Sequence, residues 1–453
     1  MNSQKLLFSA LRNEETARVP WVPFVGCHGG SLIGVDAKEY LQNEDFIVKG
    51  IKKAVELYEP DGIPVVFDLQ IEAQALGCDL EWDPENPPSV TSHPLDEGKK
   101  LKDLTLPNKD EGRFPLVLST MEQLNEEYQE EIGLYGLITG PFTLALHLLG
   151  SNIFMEMFDN REYVLKVIDF CKEVALQTAE WYIEAGMDVI AVVDPMTSQI
   201  SPADFSEIVS PAATEIFAFI SDQGAYSSFF VCGDAKQNIE EMCKTQPDNL
   251  SFDENIPLQY VKDIAREYDV SFGGNLKLTT VLLMGSEDKN KRHALECMEE
   301  GGNKGYILAP GCDLPYATPP ENLQAVAEVV HNKDAYDLLE DFQDLEEEEI
   351  DVELPDYENE SRVYVEVFTL DSKSCAPCKY MVNSVYNSIG EDLRKKVVFN
   401  EYKIKDAESV ARMKKLGVTS IPSIVIDGES KYETTPSKKE LHEEIVSAID
   451  QKS

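Results

Sequence analysis

Short runs rich in β-branched and aromatic residues recur over the first three quarters of the chain, and most are separated by longer stretches with apolar residues at helical spacing. Eight runs read as strands: Val22 to Val25, Ile63 to Phe67, Leu134 to Ile138, Val189 to Val193, Ser228 to Val231, Leu250 to Phe252, Val270 to Phe272 and Gly305 to Leu308. The intervening stretches are amphipathic. In Tyr163 to Glu184, for example, Val164, Val167, Ile168 and Cys171 fall on one helical face. Strand and helix in alternation predict an α/β fold, a (β/α)8 TIM barrel with insertions, with an open doubly wound sheet as the alternative.

The barrel reading has a chemical consequence, because sites in this architecture sit where the carboxyl ends of the strands open into loops. The residues there are Cys27 and His28, Asp68, Thr139 and Gly140, Asp194, Cys232, Asp253, Asn275 and Cys312. Asp68 and Asp194 are candidates to orient a substrate or act as acid and base, although Asp194 before Pro195 also suits a structural turn. The proline-rich, charged stretch Trp82 to Arg113 reads as an insertion or lid. His147, within an apolar helical face, and Cys78, Cys171, Cys243 and Cys297 read as core residues.

Past residue 337 the pattern changes. Residues 338–361 form an acidic linker containing Glu346 to Glu349, and residues 362–453 a second domain. Its order is strand (Val363 to Phe368), CxxC, helix, strand (Val397 to Tyr402), helix (Glu408 to Lys415), two strands (Ser423 to Ile426, Lys431 to Thr434) and helix (Lys438 to Ile449). This is a thioredoxin-like order.

The 453 residues carry 40 Lys and Arg against 83 Asp and Glu, a net charge of −43. The second domain is nearly neutral, so the acidity belongs to the first 361 residues, with 25 basic against 69 acidic side chains. Such a surface argues against nucleic acid as a partner and favours solubility. The amino-terminal sequence lacks a signal-peptide core and no run approaches the about 18 apolar residues of a membrane span, so a soluble cytoplasmic protein is expected. Nine cysteines, odd in number and without a dense framework, suit a reducing compartment.

Cys375 and Cys378 frame Ala376 and Pro377 directly after a strand and at a helix start, where exposed amides favour thiolate. With Thr419 to Ser423, which resembles a cis-proline loop around Pro422, residues 362–450 resemble the thioredoxin and glutaredoxin family. That resemblance implies that Cys375 attacks, Cys378 resolves and Pro422 faces the dithiol.

Residues 1–335 resemble the uroporphyrinogen decarboxylase superfamily, especially its methylcobamide:coenzyme M methyltransferase branch. The matching stretches are Thr16 to Pro20, Glu72 to Cys78, Thr139 to Ala145, Val231 to Asp234, Ala309 to Asp313 and Thr318 to Asn322. The resemblance implies a zinc ion held by thiolates at Cys232 and Cys312 and by Asp253, with a methyl-corrinoid carried by a partner protein. A thiol on zinc loses its proton near neutral pH and attacks the cobalt-bound methyl group. The family's histidine, two residues before the first cysteine, is Phe230 here, so Cys27 or His28 is the candidate substitute ligand.

Methyl transfer between a methyl-corrinoid protein, or a methylated substrate, and a thiol or corrinoid acceptor is therefore the leading expectation, in either direction. The fused dithiol would keep Cys232 and Cys312 reduced or regenerate the thiol substrate. A metal-free redox or client-binding protein acting through Cys375 and Cys378 is the first alternative. A porphyrinogen decarboxylase is the second, and the absence of arginine from Val22 to His28 speaks against it.

Overall fold

The computed structural model describes residues 2–332, 351–370, 372 and 376–452. They fall into two compact units, one within Met1–Asp344 and one within Leu345–Ser453. Residues 338–350 of the expected linker lie outside the described residues, whereas 351–361 belong to the second unit.

In the first unit seven parallel strands pair in chain order: β1 (Gly62–Pro64), β2 (Gly133–Thr139), β3 (Val189–Val193), β4 (Tyr226–Val231), β5 (Asn249–Phe252), β6 (Ser271–Leu276) and β7 (Tyr306–Pro310). Residues 20–22 close the ring. Val22 N donates to Leu308 O at 3.0 Å, Leu308 N to Pro20 O at 2.9 Å, and Asp61 N to Trp21 O at 2.8 Å. The sheet is thus a closed eight-membered barrel and not the open alternative. The first strand pairs earlier and more briefly than Val22 to Val25, because Pro20 and Pro23 have no amide to donate. Phe24 O instead accepts from Leu314 N at 2.8 Å, in the loop after β7.

Alternate residues of each strand face inward, as a two-residue period requires. Tyr135 and Leu137, Val189, Ala191 and Val193, and Ile307 and Ala309 fill the interior as one cluster. Helix Ser3–Leu11, capped by Asn2 accepting from Lys5 N, adds Leu7, Ala10 and Leu11 to the same cluster. Glycine is needed at Gly133, where a Cβ would stand 2.5 Å from Leu7 Cδ2.

Helices follow the strands with local signals that explain their limits. Glu44–Tyr58 starts at Asn43, which accepts from Phe46 N at 3.3 Å, and places Glu44 and Asp45 in its first turn, where they complement the helix dipole. It buries Ile47, Ile51, Ala54 and Tyr58 at helical spacing. Glu287–Gly301 starts likewise at Ser286 and ends at Gly302, whose φ of +75° suits glycine.

The described residues of the second unit include four strands in the order Val397–Lys403, Val363–Thr369, Ser423–Ile426, Glu429–Tyr432, parallel in the first pair and antiparallel in the others. Among its described residues, helices Ala376–Leu393, broken at Gly390, Ala407–Lys415 and Lys438–Gln451 accompany the sheet. Val365, Val367, Ile424 and Ile426 pack with Met381, Val385, Leu441 and Ile445. A buried ion pair also crosses this unit: Arg412 donates to Glu366 Oε1 through Nε at 2.8 Å and Nη2 at 2.6 Å. Tyr357 Oη donates to Glu366 Oε2 at 2.6 Å, which ties the 351–361 segment to the sheet. Among the described residues no helix is long and apolar enough to cross a membrane.

Candidate functional site

Cys232 is the first residue after β4 and Cys312 the second after β7, so both stand at the carboxyl end of the barrel. The fold brings them together across 80 residues of sequence, with Cα atoms 5.7 Å apart, and the two sulfurs are joined in a disulfide. Both side chains are partly exposed and pack against the barrel's interior cluster. Cys312 Sγ also lies 3.3 Å from Asp313 Oδ1.

Phe230 precedes Cys232 by two strand positions and shares its inward face. Its fully buried ring stands 4.8 Å from Phe24 and 5.8 Å from Phe67. Centroid separations in this range are favourable tilted and edge-on contacts. The position where the family's histidine is expected is therefore part of an apolar aromatic floor beneath the cysteines.

Asp253 follows β5 and is buried. Its Oδ2 accepts from Gly233 N at 2.8 Å, and Oδ1 accepts from Asn255 N at 2.9 Å and Asn255 Nδ2 at 2.6 Å. Burial raises its pKa against these hydrogen bonds. Asp253 thus adjoins the Cys232 turn, and the 253–254 backbone presses on Gly311, where a Cβ would meet Glu254 N at 2.6 Å. Sequence reasoning missed Glu254. This part-buried carboxyl is pushed up to about 8, by desolvation first and then by the charge of Asp253, and accepts from Leu278 N at 2.6 Å. The available signal was its place as a second acid after a strand.

These residues do not fit a metal ion as they stand. The two sulfurs are bonded to each other, both Asp253 oxygens face N–H donors, and Phe230 offers no ligand. Among the described residues no three His, Cys, Asp or Glu side chains are arranged to hold one. Cys27 and His28 supply no substitute. Cys27 is fully buried, and burial drives its pKa far up. His28 uses both ring nitrogens, with Tyr58 Oη at 2.7 Å and Tyr316 O at 3.2 Å, and burial lowers its pKa to about 4.

The other carboxylates of the mouth have structural partners. Asp68 accepts from Gln70 N at 2.8 Å and pairs with Arg113 at 2.5 Å, both side chains being buried. Arg113, at the end of the expected insertion, also donates to Gln74 Oε1 at 2.8 Å and stacks 4.9 Å from the Trp82 ring. Asp194 holds the start of helix Pro141–Leu149. It accepts from Phe142 N at 3.1 Å, Thr143 N at 2.8 Å and Thr143 Oγ1 at 2.6 Å, and its pKa is raised to about 6 by burial. Gly140 makes room for this, since a Cβ there would stand 2.3 Å from Asp194 Cβ. Glu72, also missed, accepts from Thr139 N at 3.0 Å and Thr139 Oγ1 at 2.8 Å. Cys78, Cys171, Cys243 and Cys297 are buried free thiols, and His147 is buried in its helix.

In the second unit Cys375 lies outside the described residues. Cys378 is fully buried and disulfide-bonded, in helix Ala376–Leu393. Pro422 follows a cis peptide bond from Ile421 and precedes strand Ser423–Ile426.

Residues 2–333 match the family described as uroporphyrinogen decarboxylase (URO-D), and residues 363–446 match a thioredoxin domain family. Among curated proteins, a methylcobamide:CoM methyltransferase of Methanosarcina mazei is 26% identical over 72% of this chain and 96% of its own length. Its counterpart from Methanosarcina acetivorans is 28% identical over 60% and 80%. A uroporphyrinogen decarboxylase from Geobacter sulfurreducens is 26% identical over 61% and 82%. Among solved structures, a methyltransferase from Methanosarcina mazei superposes with a TM-score of 0.67 at 25% identity, covering 74% of this chain and 98% of its own.

Proposed function

The chain belongs to the uroporphyrinogen decarboxylase family, and from that premise we propose that it is a corrinoid-dependent methyltransferase with a fused thiol–disulfide redox domain. Methyl groups pass between a methyl-corrinoid protein, or a methylated substrate, and a thiol or corrinoid acceptor. Residues 1–337 form the transferase and 362–453, with the 351–361 segment joined to them, the redox domain, in a cytoplasmic setting. The observation that carries this reading is the pair Cys232 and Cys312, two sulfurs gathered at the open end of a barrel whose relatives include methylcobamide:CoM methyltransferases.

When bound, the corrinoid of the partner protein supplies an electrophilic methyl group. This chain's own residues do the rest. The Phe24, Phe67 and Phe230 floor excludes water below the cysteines, which favours an unsolvated sulfur nucleophile. Asp253 fixes the turn that presents Cys232, through Gly233. Zinc, the cofactor that the resemblance implies at Cys232, Cys312 and Asp253, would need both sulfurs as thiolates and an Asp253 oxygen released from its N–H donors. In the second domain Cys375 attacks a disulfide, Cys378 resolves the mixed disulfide and Pro422 positions the client.

The test is an anaerobic assay of the prereduced full chain with methylcobalamin and coenzyme M. Accelerated loss of the methyl–cobalt absorbance supports the reading, and a rate equal to the protein-free control rejects it.

The disulfide itself favours one second reading, a barrel that has turned from metal chemistry to thiol redox chemistry. Under that reading disulfide exchange proceeds and methyl transfer does not.

A further inference from the structure

The barrel's cysteines fall into two classes. Cys27, Cys78, Cys171, Cys243 and Cys297 are free, buried and out of reach of solvent. Cys232 and Cys312 are partly exposed and bonded to each other. Burial makes a thiol inert and protects it, whereas an exposed disulfide at a site mouth is open to an attacking thiolate.

The surroundings of the pair point the same way. The strand-end turns are held independently of the bond, one by Gly233 N donating to Asp253 at 2.8 Å and the other by Gly311 N donating to Leu276 O at 3.1 Å. The barrel closes through the hydrogen bonds of residues 20–22 to β7 and Asp61 N, not through the sulfurs. The bond can therefore break without the fold opening. Below it lies an apolar floor that offers no third ligand, and beside it the Asp313 carboxylate lies 3.3 Å from Cys312 Sγ.

We propose that Cys232 and Cys312 are a reversible two-electron redox centre of the barrel whose substrates are dithiols and their disulfides. A thiolate of the incoming dithiol attacks one sulfur, the Cys232–Cys312 bond breaks, and the displaced sulfur takes up a proton. The second thiol of the reductant then attacks the mixed disulfide. Two barrel thiols and one oxidised reductant result, with two electrons and two protons transferred. Once itself reduced, the Cys375 and Cys378 pair is a reductant of this class. The proposal does not depend on methyl transfer, because thiol counting reads the one and loss of the cobalt-bound methyl group reads the other.

The full chain carrying Cys375→Ser and Cys378→Ser isolates the pair. The folded protein is equilibrated with dithiothreitol in its reduced and oxidised forms, pulsed with N-ethylmaleimide and analysed as peptides by mass spectrometry. Cys232 and Cys312 are expected to be alkylated together after reduction and recovered as a linked peptide after oxidation. The five buried cysteines stay unlabelled in both, and circular dichroism is unchanged. Cys232→Ser, a second variant, should leave Cys312 labelled under both conditions. The proposal is overturned if the linked peptide survives millimolar reduced dithiothreitol in the folded protein. It is equally overturned if oxidised dithiothreitol leaves both residues as thiols, or if reduction unfolds the barrel.

Discussion

The Gly233 amide donates to Asp253 Oδ2 at 2.8 Å, joining the turn after β4 to the end of β5. Gly233 has a φ of +93°, a conformation that an L side chain rarely adopts, so the turn bearing Cys232 depends on this glycine and this carboxylate together. Asp253→Ala leaves two part-buried backbone amides and the Asn255 side chain without their acceptor. A loss of about 1–3 kcal/mol of barrel stability is expected. Asp253→Asn, which keeps one acceptor oxygen, should lose less. Urea unfolding followed by near-ultraviolet circular dichroism checks the order of the two.

Arg113 and Asp68 form a buried ion pair, and removing one partner strands the other charge. Arg113→Met is predicted to cost about 3–5 kcal/mol, while Arg113→Met combined with Asp68→Leu recovers part of the loss. The same unfolding assay measures both. A double variant that loses as much as Arg113→Met and Asp68→Leu measured singly and added together would show that the pair is not coupled.

Asp194 gives a pH signature. Its folded pKa of about 6 lies above the ordinary aspartate range, because burial outweighs the hydrogen bonds from Thr143 and Phe142. The folded state therefore holds a proton that the unfolded state has released. This carboxyl's contribution is full below about pH 4 and is lost as pH rises towards about 6. The difference in melting temperature between the wild type and Asp194→Asn should change across that window and be flat above it. A flat difference throughout would contradict the burial argument.

Much of the barrel was legible in the sequence because its signal is local. Val189 to Val193 alternates into the interior as a clean β-branched run, and its bounds are those of β3. The second domain's helix over Lys438 to Ile449 starts at Ser437, which accepts from Glu440 N. Other features depend on contacts that no local pattern carries. The first strand stops at Pro23 and spends Phe24 on the loop after β7. The meeting of Cys232 and Cys312 follows from motif positions, but not the bond between them, since an oxidation state is not written in spacing. Phe230 was read as a missing ligand, and the structure gives it a positive role beside Phe24 and Phe67. Asp68 and Asp194 read as reactive because strand ends host chemistry. Arg113 and the amides of helix Pro141–Leu149, distant in sequence, supply their partners.

The second domain can be tested by itself in the intact chain. Cys375→Ser should reduce insulin disulfide reduction to background. Cys378→Ser should instead accumulate a mixed disulfide between Cys375 and the client, visible as an adduct by mass spectrometry under non-reducing conditions. Adducts at Cys378 in the Cys375→Ser variant would reverse the order of attack.

The proposed methyl transfer depends on the barrel's sulfur pair. The direct measurement supplies the prereduced protein with isotope-labelled methylcobalamin and coenzyme M and quantifies the labelled thioether for the wild type, Cys232→Ser and Cys312→Ser. Labelled thioether is expected well above the protein-free rate for the wild type, with a loss of at least about 100-fold in each variant, on the scale of a removed transition-state contact. Thioether formed equally fast by all three proteins, or by none of them, would contradict it.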